Sequence, residues 1–205
     1  MPVKIQTVNT DAFTMDYFQF GCGKETLVIL PGLSVQSVMG CADSVAEAYQ
    51  VFTDDYTIYV FDRRQELPPT YSVYEMAHDT AEAFRVLGLS EVNLFGASQG
   101  GMIAMKIAID HPELVRKLVL GSTSACVEEA QYQVIEKWIQ LAKSGDATGL
   151  YMAFGEAIYP EDVFEQSRAL LAEAAETVTD DDLKRFIILA EGTKGFEVTD
   201  DLERL

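Results

Sequence analysis

Along the first 121 residues, short continuous apolar runs alternate with stretches of helical period. Phe13–Phe20 has the strand pattern and is turned by Gly21-Cys22-Gly23-Lys24. Leu27-Val28-Ile29-Leu30 stops at Pro31-Gly32, and comparable runs recur at Thr57–Phe61, Val92–Phe95 and Lys117–Leu120. Runs that are apolar throughout, rather than at alternate positions, predict strands covered on both faces, as in a parallel sheet. Ser72 and Glu75 are spaced as a capping box, and Val73, Met76, Ala77, Thr80, Phe84 and Leu87 follow helical spacing up to Gly88. A second helix, small and apolar, is predicted over Gln99–Asp110, closed by His111-Pro112. The fold class is therefore α/β: a mostly parallel sheet with helices on both faces.

After Gly121 the pattern changes. No strand is predicted from Val127 to Leu202; helical stretches run over Val127–Lys143, Leu150–Ile158, Val163–Glu176 and Asp180–Glu191. The chain thus divides into an α/β core at residues 1–125 and, from 126 to 205, an all-helical portion that begins to return to the core.

Composition narrows the function classes. With 15 basic and 33 acidic residues the net charge is −18. Such a surface repels phosphate backbones and anionic membranes, so neither nucleic acid nor membrane is expected as a partner. No apolar run approaches the roughly 20 residues that span a bilayer, and no secretory signal is visible at the N-terminus. The three cysteines, Cys22, Cys41 and Cys126, form no CxxC pair and no even set, which suits reduced thiols in the cytoplasm.

Gly96-Ala97-Ser98-Gln99-Gly100 reads G-x-S-x-G and sits where the strand Val92–Phe95 hands over to the helix from Gln99. A serine at a sharp strand-to-helix turn is held in a strained conformation with its hydroxyl exposed above the sheet. Glycines on either side avoid Cβ atoms that would crowd the turn. A glycine-rich turn that only packs helix on strand is the plainer alternative.

In this setting the sequence resembles the N-terminal portion and helical cap of the α/β-hydrolase fold family. Leu27–Leu33 is similar to that family's third strand and oxyanion loop. Phe61-Asp62-Arg63-Arg64 is similar to its D-x-R turn, with Gln65 where a glycine is common. Asp110–Val115 followed by Leu118–Leu120 resembles its helix end and sixth strand. The resemblance implies Ser98 as nucleophile and the backbone N–H groups of Gln99 and Leu33 as oxyanion donors, assisted by the dipole of the helix starting at Gln99. It implies a small ester-like substrate and no cofactor. No metal-ligand spacing and no Walker or dinucleotide pattern is present.

The same family places its acid and its histidine later in the chain. Only two histidines exist here. His78 lies in the capped helix beside Glu75, Asp79, Glu82 and Arg85, on its expected polar face. His111 closes the helix that starts at Ser98, about 18 Å away at 1.5 Å per residue. Glu128 and Glu129 read as acid candidates or as helix N-terminal charges. Losing a triad histidine can cost about 10⁶ in turnover, or roughly 8 kcal/mol of barrier, so efficient ester hydrolysis by these residues alone is not expected. The tail Glu197–Leu205 stops about where the family resumes its sheet, which reads as a chain cut short. Leu118–Leu120 would then be an open apolar edge that pairs with a second copy, lies under the helical portion, or aggregates.

Gly32, Trp138, Tyr151 and Phe154 are the candidate substrate contacts, in a pocket over Ser98 built partly from cap aromatics. The alternative is that those aromatics form the cap's own core. At the level of function, a serine hydrolase acting through an acyl-Ser98 stands against a non-catalytic binding protein that keeps the scaffold.

Overall fold

A computed structural model describes residues 2–205. Six strands form one sheet: β1 (Ile5–Asn9), β2 (Thr14–Phe20), β3 (Glu25–Leu30), β4 (Tyr56–Arg64), β5 (Val92–Ala97) and β6 (Val115–Gly121). Their order is β1-β2-β4-β3-β5-β6. The four strands β4, β3, β5 and β6 are mutually parallel. The hairpin β1–β2 joins antiparallel to β4, and β1 was not legible in the hydrophobic pattern.

Burial explains the apolar runs. Helices α2 (Val73–Val86) and α3 (Gln99–Asp110) pack on one face, where Val28 and Leu30 of β3 meet Met76, Phe84, Ile103 and Ile107. The intervening Ile29 points the other way, into a smaller cluster with Phe18, Ala42, Ile58 and Val60. Ala42 opens the short helix α1 (Ala42–Ala48), which no periodicity announced. Both faces of β3 are thus dry, and alternation disappears.

The edge strand β6 differs. Val119 and Leu120 are 55% and 40% exposed, and the outer side of the strand has no partner among the described residues. Α capping box does form at Ser72: the Glu75 carboxylate accepts from the Ser72 N–H at 2.7 Å, and the Ser72 hydroxyl faces the Glu75 N–H at 3.3 Å. That Ser72 N–H, together with the Ser72 hydroxyl donating to the same carboxylate at 2.7 Å, holds the Glu75 carboxyl below its ordinary range.

Beyond β6 come α4 (Glu129–Lys143), α5 (Ala147–Ile158), α6 (Glu161–Glu176) and α7 (Asp180–Glu191), followed by a 3-10 turn at Thr199–Arg204. Their own core joins Trp138, Ile139, Leu150, Leu183 and Phe186 to Val35 of the loop after β3. The helical excursion leaves and rejoins the sheet layer at one place: Cys126 and Glu197 form an antiparallel bridge, Val127 N–H donates to the Phe196 carbonyl, and Val198 N–H to that of Ala125. No helix among the described residues is long and apolar enough to cross a membrane.

Candidate functional site

The strand-to-helix turn is as tight as its glycines suggested. Ser98 has φ 51° and ψ −123°, between the end of β5 and the first residue of α3. A Cβ on Gly96 would overlap the Gly100 carbonyl, and one on Gly100 would overlap the Leu30 carbonyl. With both absent, α3 runs straight out of the turn and the Ser98 side chain is left exposed above the sheet.

Backbone bonds lock this conformation from the neighbouring strand. The Ser98 N–H donates to the Gly121 carbonyl at 2.9 Å. Its carbonyl accepts from the N–H groups of Gly101 and Met102 and from the Thr123 hydroxyl, the last at 2.7 Å. A positive φ in a residue with a Cβ costs on the order of 1–3 kcal/mol, and these bonds offset it.

The loop after β3 comes close to the same serine. A Cβ on Gly32 would lie 3.1 Å from the Ser98 Cβ and 3.7 Å from its Oγ. The next N–H along the loop, that of Leu33, and the first N–H of α3, that of Gln99, donate to no acceptor among the described residues. Two unspent main-chain donors therefore lie on the segments flanking the hydroxyl, one of them at a helix N-terminus.

A buried polar bridge ties those segments together. Gln99 is 2% exposed; its Nε2 donates to the Leu189 carbonyl of α7 at 2.7 Å, and its Oε1 accepts from the Arg63 guanidinium at 3.1 Å. The same Arg63 nitrogen donates to the Pro31 carbonyl at 2.9 Å. Burial pushes the Arg63 guanidinium down to about 10, partly opposed by the charge of Asp62. Asp62 in turn accepts from Ser37 and pairs with Arg185 of α7. The D-x-R segment, which forms the end of β4, thus holds the β3 loop, the start of α3 and the last large helix in register.

Above Ser98 opens a cavity of about 410 Å³. Met102 and Ser122–Ser124 line it from the sheet layer; Val127, Val134, Ile135, Trp138 and Ile158 line it from the helices. Of the candidate substrate contacts, Trp138 is here and Gly32 abuts the serine. Tyr151 and Phe154 are elsewhere. Tyr151 donates to the Gln36 side chain at 3.1 Å, and Phe154 packs on Trp138 and Phe186 within the helical core. Their helical spacing served packing, because α5 turns that face inward against α4 and α7. Ser122 and Thr123 were not singled out, although a polar run directly after an apolar strand marks the carboxyl edge where such sites form. Two cavities of similar volume lie away from Ser98, at the Val115–Leu118 end of β6 and beside Phe52.

Neither histidine is near the hydroxyl. His111 caps the far end of α3 and meets the Arg85 guanidinium at 2.9 Å. His78 is exposed on α2. Its neighbour Asp79, expected on the same polar face, is instead buried, accepting from the Tyr71 hydroxyl at 2.7 Å. Glu128 takes the helix-start role: it precedes α4, and its N–H donates to the Gln131 side chain at 3.0 Å. The described residues contain no group of three or more His, Cys, Asp or Glu placed to hold a metal.

Comparison with known proteins identifies the fold. Residues 25–153 match a family model described as the alpha/beta hydrolase fold. A candidate carbamate hydrolase, RutD of Caulobacter vibrioides, is 30% identical over 104 residues, covering 48% of this chain and 37% of its own length. Its Caulobacter segnis counterpart is 26% identical over 164 residues, 76% of this chain and 60% of its own length. The chain therefore spans between about a third and three fifths of these curated relatives. Among solved structures, the alpha/beta hydrolase MGS-M2 from a Medee basin deep-sea metagenome superposes with a TM-score of 0.82 at 20% identity, over 96% of this chain and 74% of that one. An esterase of Exiguobacterium antarcticum gives 0.72 at 22% identity, over 100% and 78%.

Proposed function

Because the chain belongs to the α/β-hydrolase fold family, we propose that it is the nucleophile-bearing part of a serine hydrolase acting on small carboxylic esters or related carbonyl compounds. The observation that carries this reading is the strained, exposed Ser98 between two strand ends, at the floor of a cavity of about 410 Å³. Esterase and carbamate-hydrolase names among the similar proteins support the reaction class.

In this mechanism Ser98 Oγ attacks the substrate carbonyl carbon as its proton passes to a base. The carbonyl oxygen becomes an oxyanion, stabilised by the N–H groups of Leu33 and Gln99 and by the positive end of α3. Collapse breaks the bond to the leaving group, which departs with a proton and leaves an acyl-Ser98 ester; water then releases the acid and restores the hydroxyl. The helical portion acts as a cap that excludes water from the acyl group. The base and its supporting acid are assigned outside these 205 residues, since His78 and His111 are turned to other surroundings. No metal or cofactor enters any step.

A fluorophosphonate probe, with imidazole added as an external base, tests the reading directly. Labelling of the wild type that disappears in Ser98→Ala supports an activated nucleophile. Absence of labelling across the pH range favours the second reading, a binding protein on the same scaffold, for which the remote histidines are the supporting observation.

A further inference from the structure

Ser98 has a twin. Ser122 also carries a positive φ, 47°, one residue past the end of β6. Ala97 and Gly121 are register partners, so the two strained serines extend side by side from neighbouring parallel strands, and both line the cavity. Strain at a residue with a Cβ persists only where surrounding contacts enforce it, and such positions cluster at ligand sites. The hydroxyls next to Ser122 are spent: Thr123 donates to the Ser98 carbonyl and Ser124 to the Cys126 carbonyl. Ser122 is exposed, its hydroxyl has no partner among the described residues, and the residue lines the cavity it shares with the candidate nucleophile.

The rest of the lining sets the ligand's charge. Opposite the two serines stand Ile135, Trp138 and Ile158, and among the described residues no Asp, Glu, Lys, Arg or His side chain lines the cavity. A carboxylate entering it finds no cation and must approach through the field of a chain carrying −18. An ammonium finds no carboxylate to offset its desolvation. The volume, about 410 Å³, lies at the small end of the roughly 300–1,000 Å³ typical of small-molecule sites.

Resting on the acyl-transfer reading of Ser98, we infer that this site selects compact, uncharged acyl compounds, whose apolar part lies against Trp138 and whose polar end is held by the Ser122 hydroxyl beside Ser98. Ser122 is a specificity residue that positions the carbonyl compound; it takes no part in bond making.

Trp138 is the sole tryptophan of the chain, so fluorescence excited at the red edge, where the nine tyrosines absorb little, reports on this cavity. The test titrates the full chain at pH 7 with hexanamide, hexanoate and hexylammonium. Hexanamide is expected to shift the emission saturably, and the two ions to bind at least about tenfold more weakly. Ser122→Gly removes the hydroxyl and suits the positive φ, so it folds; it is expected to weaken hexanamide about fivefold, the worth of one hydrogen bond. Hexanoate binding as tightly as hexanamide, an unchanged Ser122→Gly affinity, or no saturable signal overturns the inference. Fluorophosphonate labelling with imidazole added as the base separates the two claims. Labelling without any hexanamide response overturns the pocket assignment alone; hexanamide saturation without labelling supports that assignment and overturns the acyl-transfer reading.

Discussion

Thr123 Oγ1 donates to the Ser98 carbonyl at 2.7 Å, across the gap between the ends of two neighbouring strands. That carbonyl already receives two helix N–H groups, so the hydroxyl works as a clamp on the turn more than as the sole partner of an orphaned acceptor. Thr123→Val keeps the shape against Gly101, whose added Cβ would lie 2.6 Å from the Thr123 Cβ. We expect it to cost about 1 kcal/mol in urea unfolding. A loss of several kcal/mol would mean that the clamp carries more than one bond's worth of the fold.

The strain itself is measurable. At φ 51° and ψ −123° a Cβ is a liability and glycine is at ease. Ser98→Gly should raise stability by about 1 kcal/mol, whereas Ser98→Ala, which retains the Cβ, should leave it within about 0.5 kcal/mol of wild type. Both remove the candidate nucleophile. Equal melting temperatures for the two variants would show that the turn is relaxed.

Close approach gives a sharper contrast between two glycines. A Cβ on Gly100 would lie 2.5 Å from the Pro31 carbonyl oxygen and nearer still to that of Leu30, both of them backbone atoms that cannot rotate away. Gly100→Ala is expected to destabilise by about 3 kcal/mol or more and to displace the Leu33 N–H from the serine. Gly40 has nothing within 4 Å of a built Cβ. Gly40→Ala should be neutral or stabilising by up to about 1 kcal/mol. Thermal unfolding of the pair provides the check.

Much of this was legible in the sequence, and for identifiable reasons. β3 and β5 are buried on both faces, so Val28–Leu30 and Val92–Leu94 read as apolar runs. The serine turn was legible because only glycine fits at 96 and 100. By contrast β1 is largely exposed, with only Val8 buried, so it left no apolar run to read. Tyr151 and Phe154 illustrate a different limit: periodicity marks an inward face without saying whether a cavity or another helix meets it. Asp79 sat among charged neighbours in the sequence, and only the fold brings Tyr71 and Arg64 over it. Ser122 gave no signal because nothing in its residue type marks a positive φ.

The exposed edge of β6 predicts self-association. Val119 is 55% exposed beside Phe95 and Phe52, on a strand whose outer backbone groups are unpaired among the described residues. Such an edge templates pairing with another strand. Light scattering should detect concentration-dependent association that Val119→Lys suppresses. A monodisperse monomer, with rapid amide exchange over residues 117–121, would refute pairing through this edge.

Acid stability should carry the signature of the α2 cap. The Glu75 carboxyl is lowered from its ordinary 4.5 by the N–H and hydroxyl of Ser72. A carboxyl with a depressed folded-state pKa contributes stability above its unfolded value, and that contribution is lost as pH falls through the folded value. Ser72→Ala should therefore cost about 1 kcal/mol at pH 7. Glu75→Gln should be less stable than wild type at neutral pH, and the two should converge below pH 4.5, where the wild-type carboxyl takes up its proton. Urea midpoints measured from pH 7 down to acid pH decide this: parallel curves for Glu75→Gln and wild type would show that the ionised carboxylate adds nothing to the cap.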